Sequence, residues 1–442
     1  MKKTLVRILT AALILSLVMV PALNAGAEGA MKYDAALPVN NGDPISIELW
    51  YWTGAANLFQ ALKDEYTAAH PNVAITLVEN PWDDYWTKLP LALQGNDGPA
   101  IFNVHNSKHD LLIGYMAPYN VSLSELEDDF VGVSAHVIDG NVYYIDYGMM
   151  TATMYYNKAM WAAAGLTEND IPKTWDEFRA IAKKLTIRDA KGALVQAGFS
   201  FNGGAQGDVL GMQYQYGQNL FNGNKVTFNN EAIRTVVQRM KDIYEVDGSG
   251  DYNFGNNSGD NFGQGMVAMY LGWGFMHNVL KSNFPDTVFG SFEIPTPSTD
   301  VPYAYHRYNG ESTFGVNKNA SAAQQAVAQD IVRFFLASDS LEKQFCLANS
   351  VFPAKKSLAH DADILSVSSI AVLADHIDRY IWPGPMPSAV EENMKIALED
   401  IFYNGADIQT ALQNAEDTCN QELSAGDFVP VESQYQHADE VK

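Results

Sequence analysis

The chain has 442 residues, with 52 acidic against 28 basic side chains and a formal net charge of −24 at pH 7. A surface this acidic repels phosphate, which excludes nucleic acid and anionic lipid as partners. At 47% hydrophobic residues the chain can build two or three domains, and its two cysteines, Cys346 and Cys419, allow at most one disulfide.

Lys2, Lys3 and Arg7 precede an apolar stretch, Ile8 to Val20, that is too short to span a bilayer, and Ala25-Gly-Ala27 offers small residues for cleavage. Residues 1–27 therefore read as a signal peptide. A periplasmic or secreted product is expected, without lipid attachment because no cysteine follows the apolar stretch. Residues 28–43 read as a disordered lead. After them, strand and helix signals alternate. Ile45 to Trp52 is a strand. Leu58, Phe59, Leu62 and Tyr66 share one helical face, which His70-Pro71 ends. Val73 to Val78 is a second strand, Tyr85 to Leu93 a helix, and Ala100 to Val104 a third strand. Strands separated by helices predict an α/β, doubly wound, largely parallel sheet.

In the middle of the chain, Asn157 opens a helix and Gly165 closes it as a left-handed cap. Thr174-Trp-Asp-Glu177 then forms a capping box that starts the next helix. This module is structural punctuation. Further on, Glu231 to Tyr244 is an amphipathic helix, Asp247 to Gly265 a Gly/Asn-rich loop, and Met266 to Leu271 a strand leading into Gly272-Trp273. Helices are expected over 321–337, 341–348, 391–403 and 408–423.

The chain lacks His-Glu-x-x-His, Cys-x-x-Cys, Gly-x-Ser-x-Gly and Walker sequences. Asp247-Gly-Ser-Gly-Asp251 begins like a calcium loop but has Tyr252 at the sixth position and Ser258 at the twelfth, where Gly and Glu are needed. No catalytic residue, metal or cofactor is therefore expected. What remains is a set of aromatic and amide side chains at strand ends, where open α/β sheets hold ligands: Trp52, Trp82, His105, Asn106 and Trp273. Trp382, in the rigid turn Ile381-Trp-Pro-Gly-Pro385, reads equally as a stacking platform or a packing wedge. Indole faces suit the C–H side of a sugar, and amides bond its hydroxyls. A carboxylate pair acting as a glycosidase and a non-sugar solute such as a polyamine or glycerol phosphate are the competing readings.

Several stretches resemble the family 1 extracellular solute-binding proteins, the sugar-binding components of ABC importers of the maltose-binding-protein type. They are Phe59 to Pro71, Trp86 to Gly95, Met116-Ala-Pro-Tyr119, Tyr155-Tyr-Asn-Lys158, Pro172 to Phe178, Phe262 to Met269 with Gly272-Trp273, Gly315-Val-Asn-Lys318 and Phe352-Pro-Ala-Lys355. The chain departs from the pattern at Ala100, where the family usually has Asp, and at Tyr144. The resemblance implies a type II periplasmic-binding-protein-like fold of two doubly wound lobes joined by a hinge. The N-terminal lobe would comprise 44–146 and 297–350, and the C-terminal lobe 147–296 and 351–442. Crossovers would fall near Asp146–Met149, Glu293–Thr296 and Val351–Pro353. It also implies a monomer that binds a carbohydrate through Trp52, Trp82, His105, Asn106, Trp273 and Trp382 and partners membrane permease subunits.

Overall fold

The computed structural model describes residues 31–424 and 430–442; the expected signal peptide lies outside them. Along the strand Ile45–Trp52 every second side chain (Ile47, Leu49, Tyr51) is buried, the period-two pattern of a pleated strand over a core. This strand is the second of a five-stranded sheet ordered Val73–Asn80, Ile45–Trp52, Ile101–Asn103, Phe314–Asn317, Met116–Ala117. The first three strands run parallel, and Phe314–Asn317 runs antiparallel to both its neighbours. Helices Ala56–Ala69 and Trp82–Leu93 connect the parallel strands. The register pairs Trp52 with Asn80, so the first two strands end at one edge.

The second sheet is organised by one 12-residue strand, Asp146–Asn157. Met269–Trp273, Phe289–Phe292, His306–Ser312 and Phe352–Pro353 all pair with it antiparallel, and Tyr380–Ile381 pairs parallel with His306–Ser312. Ala152, Met154 and Tyr156 enter one core, with Phe178, Val236 and Ile401. Tyr155, on the opposite face, packs with Phe262, Tyr270 and Leu280. Both faces are thus covered, and the strand is buried along almost its whole length, its polar Thr151 and Thr153 included. The capping module forms as expected. Asn157 Oδ1 accepts from the N–H groups of Ala159 (3.0 Å) and Met160 (3.1 Å), Gly165 takes φ +66°, and Thr174 and Glu177 close a capping box on helix Trp175–Leu185.

Asp146–Asn157, His306–Ser312 and Phe352–Pro353 form a three-stranded ribbon between the lobes, with Asn309 opposite Met150, Glu311 opposite Gly148 and Phe352 opposite Met149. At its end the chain enters the first sheet between Ser312 and Phe314.

Three expectations are corrected. Residues 31–43 are not a free lead. The backbone N–H of Met31 donates to Asp129 (2.8 Å), Tyr33 Oη donates to Asp330 (2.7 Å), and Met31 and Val39 are buried in the first core; a few apolar anchors in a polar stretch suffice to dock it. Residues 306–312, assigned to the first lobe, belong to the second sheet. Ala354, Leu358, Ile364, Ile370 and Leu373, assigned to the second lobe, pack in the first core. These last segments are short turns whose partners are distant in sequence, so no local pattern marks their lobe. Asp247, at the start of the Gly/Asn-rich loop, is bonded to Lys183 (2.7 Å) and to Arg179 Nη2 (3.0 Å).

Candidate functional site

Trp52 ends its strand, and Trp82 opens the helix that follows the neighbouring strand Val73–Asn80, immediately after Pro81. Proline there fixes the chain direction and costs no helical hydrogen bond, since first-turn N–H groups lack intrahelical partners. The result is an aromatic corner. The Trp52 and Trp82 rings lie 5.2 Å apart at 83°, and Trp82 and His105 lie 5.2 Å apart at 90°. Trp86 fills the back of the corner, 5.5 Å from Trp52 and 5.1 Å from Trp82. Edge-to-face packing of this kind holds each ring by its neighbours. Trp82 stays 40% exposed, so a ring face is open for contact.

His105 Nδ1 accepts from the Ser107 N–H (3.3 Å) and lies 2.8 Å from Ser107 Oγ. Burial, then the nearby Lys108, pushes its pKa down to about 4. The imidazole is therefore neutral at pH 7, with Nε2 left as the donor.

Across the gap stands Trp273, the last residue of Met269–Trp273. The Arg307 guanidinium carbon sits 5.1 Å from its ring centroid, and His306 meets the ring at 5.8 Å and 75°. Arg307 is only 2% exposed. It donates through Nη1 to Asn309 Oδ1 (3.1 Å) and through Nη2 to Glu391. Helix Ala205–Met212 approaches from below, with Gly207 near Trp273 Nε1 and Gly211 against the His306 ring.

These two walls enclose one cavity of about 510 Å³, within the size range of small-molecule sites. Trp52, Trp82 and His105 line it from the first lobe, and Gln206, Gly207, Trp273 and Phe275 from the second. The ribbon supplies the floor: Met150, Arg307, Asn309 and Glu311. Burial, then Asp146, pushes the Glu311 carboxyl up to about 8. A larger groove of about 720 Å³ on the second lobe, between the helices holding Asp176 and Arg239, touches none of the strand-end tryptophans.

Four of the six expected residues thus meet around one cavity. Asn106 is buried and does not line it. Trp382 stacks on His136 (4.5 Å, 25°) and lines a separate cavity of about 220 Å³ with Tyr308, Tyr380 and Tyr435. The sequence reading had not singled out Arg307, Asn309, Glu311 or the Gly203–Gly207 turn. The available signal was the polar alternation Arg307, Asn309, Glu311, which places three polar groups on one strand face.

Two α/β lobes, a three-stranded ribbon between them and an aromatic-walled cavity at the seam define a clamshell solute-binding protein. The chain belongs to the bacterial extracellular solute-binding protein family, which it matches over residues 52–341. It is 26% identical over 294 residues to the diacetylchitobiose binding protein DasA of Streptomyces coelicolor, a match covering 63% of this chain and 65% of that protein. The cyclic alpha-maltosyl-1,6-maltose binding protein of Arthrobacter globiformis superposes with a TM-score of 0.71 at 20% identity, over 87% of this chain and all of that one. The sugar-binding protein MalE of Xanthomonas citri gives 0.71 at 16% identity, over 86% and 98%. At these identities the structural likeness speaks for the fold.

Proposed function

We propose that the protein captures a carbohydrate, an oligosaccharide by the cavity's size, between its lobes and delivers it unaltered to the permease of an ABC importer. It would act outside the cytoplasm, as a monomer. The observation that carries this is the placement of indoles on facing walls of one cavity: Trp52 and Trp82 on one lobe, Trp273 on the other. A sugar ring stacked on both walls contacts both lobes only when they are closed. Binding then favours the closed form by the difference in affinity between the two forms, and by nothing else. The closed shape is what a permease would recognise, and closure would turn about the ribbon where Met150 opposes Asn309.

The electrostatics suit a hydroxyl-rich guest and offer an anion no unpaired cation among the lining residues. His105 is neutral and Arg307 is met by Glu391, so the walls present donors and acceptors with little fixed charge to desolvate. The sugar-binding relatives support the ligand class, and no bond need form or break. The test is a panel of oligosaccharides read by thermal shift and by tryptophan fluorescence. A bound sugar should raise the melting temperature by mass action. Trp82→Ala or Trp273→Ala should each weaken it by roughly 1–3 kcal/mol with folding retained. If no sugar stabilises the protein, or if both variants bind as the native chain does, the reading fails.

A further inference from the structure

We infer that the captured sugar carries a basic amine, and that Glu311 is the residue that selects it. This rests on the carbohydrate reading above. One ionisable side chain at the cavity stands without a partner. Arg307 is met by Glu391, and His105 carries no charge at pH 7. Asp146, behind the floor, is bonded to His136 Nε2 (3.0 Å) and accepts from Ser312 Oγ (3.0 Å). The Tyr147 phenol, held high by burial, is neutral. Glu311 lines the floor, and its carboxyl has no hydrogen bond or ion pair with any of the described residues. One acid therefore faces the cavity with no cation of the protein's own.

An ammonium group on the ligand would supply the missing partner. The indoles sharing the cavity favour a cation over their faces, and a chain of net charge −24 draws cations toward it from solution. In the empty cavity Glu311 is held as the acid, with a pKa of about 8. When a protonated amine enters, the Glu311 carboxyl gives its proton to solvent and the ammonium donates to the resulting carboxylate. One proton leaves per ligand bound, and the sugar is unchanged. A neutral or N-acetylated sugar would accept or donate one ordinary hydrogen bond there and release none.

The experiment is titration calorimetry at pH 6 in buffers of different ionisation enthalpy. Glucosamine oligomers are compared with their N-acetylated counterparts, with neutral glucose oligomers and with uronate oligomers. The amine form should bind on the order of tenfold to a hundredfold more tightly than the acetylated form and release close to one proton. Glu311→Gln should remove both the preference and the proton release; the release on the native chain stands as evidence even if that variant folds poorly. Equal or tighter binding of acetylated, neutral or uronate sugars, or binding of the amine form without proton release, overturns the inference and leaves the carbohydrate reading intact. Binding of spermidine with no sugar bound at all overturns both.

Discussion

Arg307 covers Trp273: the guanidinium carbon lies 5.1 Å from the ring centroid, and the same guanidinium is tied to Asn309 and Glu391. The stacking wall of the second lobe is thus held by a buried cation rather than by apolar packing alone. Such a contact is worth about 0.5–2 kcal/mol, more when desolvated. Arg307→Met keeps the bulk of the stem and removes the charge. It should weaken sugar binding about two- to thirtyfold by calorimetry while the protein stays folded. Glu391 is 45% exposed at its side chain, so water takes over its hydrogen bonds and its loss of a partner costs little. An unchanged affinity would mean that Trp273 needs no support from Arg307.

The two glycines beneath that wall make contrasting predictions. Both lie inside helix Ala205–Met212, where glycine is otherwise about 1 kcal/mol worse than alanine. A Cβ on Gly207 would come no closer than 3.6 Å, to Trp273 Nε1, an ordinary contact. A Cβ on Gly211 would fall 1.9 Å from His306 Nε2, inside the buried imidazole. Gly207→Ala should leave the melting temperature unchanged or slightly raised. Gly211→Ala should lower stability by about 1–3 kcal/mol or more, because a packed site must shift to admit it. Comparable melts for the two variants would show that His306 yields easily.

The strand-end tryptophans were legible because two simple rules act on them. Strand ends follow from local pattern, and open α/β sheets put their ligand side at the carboxyl edge, so Trp52, Trp82, His105 and Trp273 could be grouped before any coordinates. Strand His306–Ser312 was not legible. His-Arg-Tyr-Asn-Gly-Glu-Ser is polar and holds Asn and Gly, which strands avoid; pairing with Asp146–Asn157 overrides that propensity. The floor of the cavity, with Arg307, Asn309 and Glu311, went unseen with it. Trp382 failed for the opposite reason. Its Pro-Gly-Pro turn is rigid wherever it sits, and only the tertiary fold directs the ring onto His136 rather than into the cavity.

Stability should fall as pH rises through neutrality. Burial, the largest cause for each group, pushes Glu293 and Glu432 up to about 7 and Glu311 up to about 8, from an ordinary value near 4.5. Between pH 4.5 and those values the folded chain holds protons that the unfolded chain has lost. Their contribution is present at low pH and fades as pH rises. His105 and His277, pushed down to about 4, and His306, to about 3, act oppositely. Below pH 6.5 the unfolded chain gains protons that the buried rings refuse, so acid destabilises. The two sets offset each other between about pH 4.5 and 6.5, and above 6.5 only the carboxyls still titrate. Thermal melts at constant ionic strength should therefore peak between about pH 5 and 6.5 and decline from 6.5 to 8. A melting temperature that climbs over that last interval would contradict the burial of these acids.

Cys346 and Cys419 should behave as two separate thiols. Both are fully buried and free, Cys346 in the first core with Phe335 and Phe345, Cys419 in the second with Leu412 and Leu423. Burial pushes the Cys419 thiol up to about 12 and Cys346 well above the usual thiol range. Neither forms thiolate near neutral pH, and only thiolate reacts. A thiol reagent should therefore label neither residue in the native protein and both after denaturation, and reductant should not move the melting temperature. A bridge between them would hold the two lobes together across the seam and oppose the closing motion that the cavity implies. Failure to find two thiols in denaturant without prior reduction would establish such a bridge, and with it a far stiffer hinge than the ribbon of Asp146–Asn157, His306–Ser312 and Phe352–Pro353 provides.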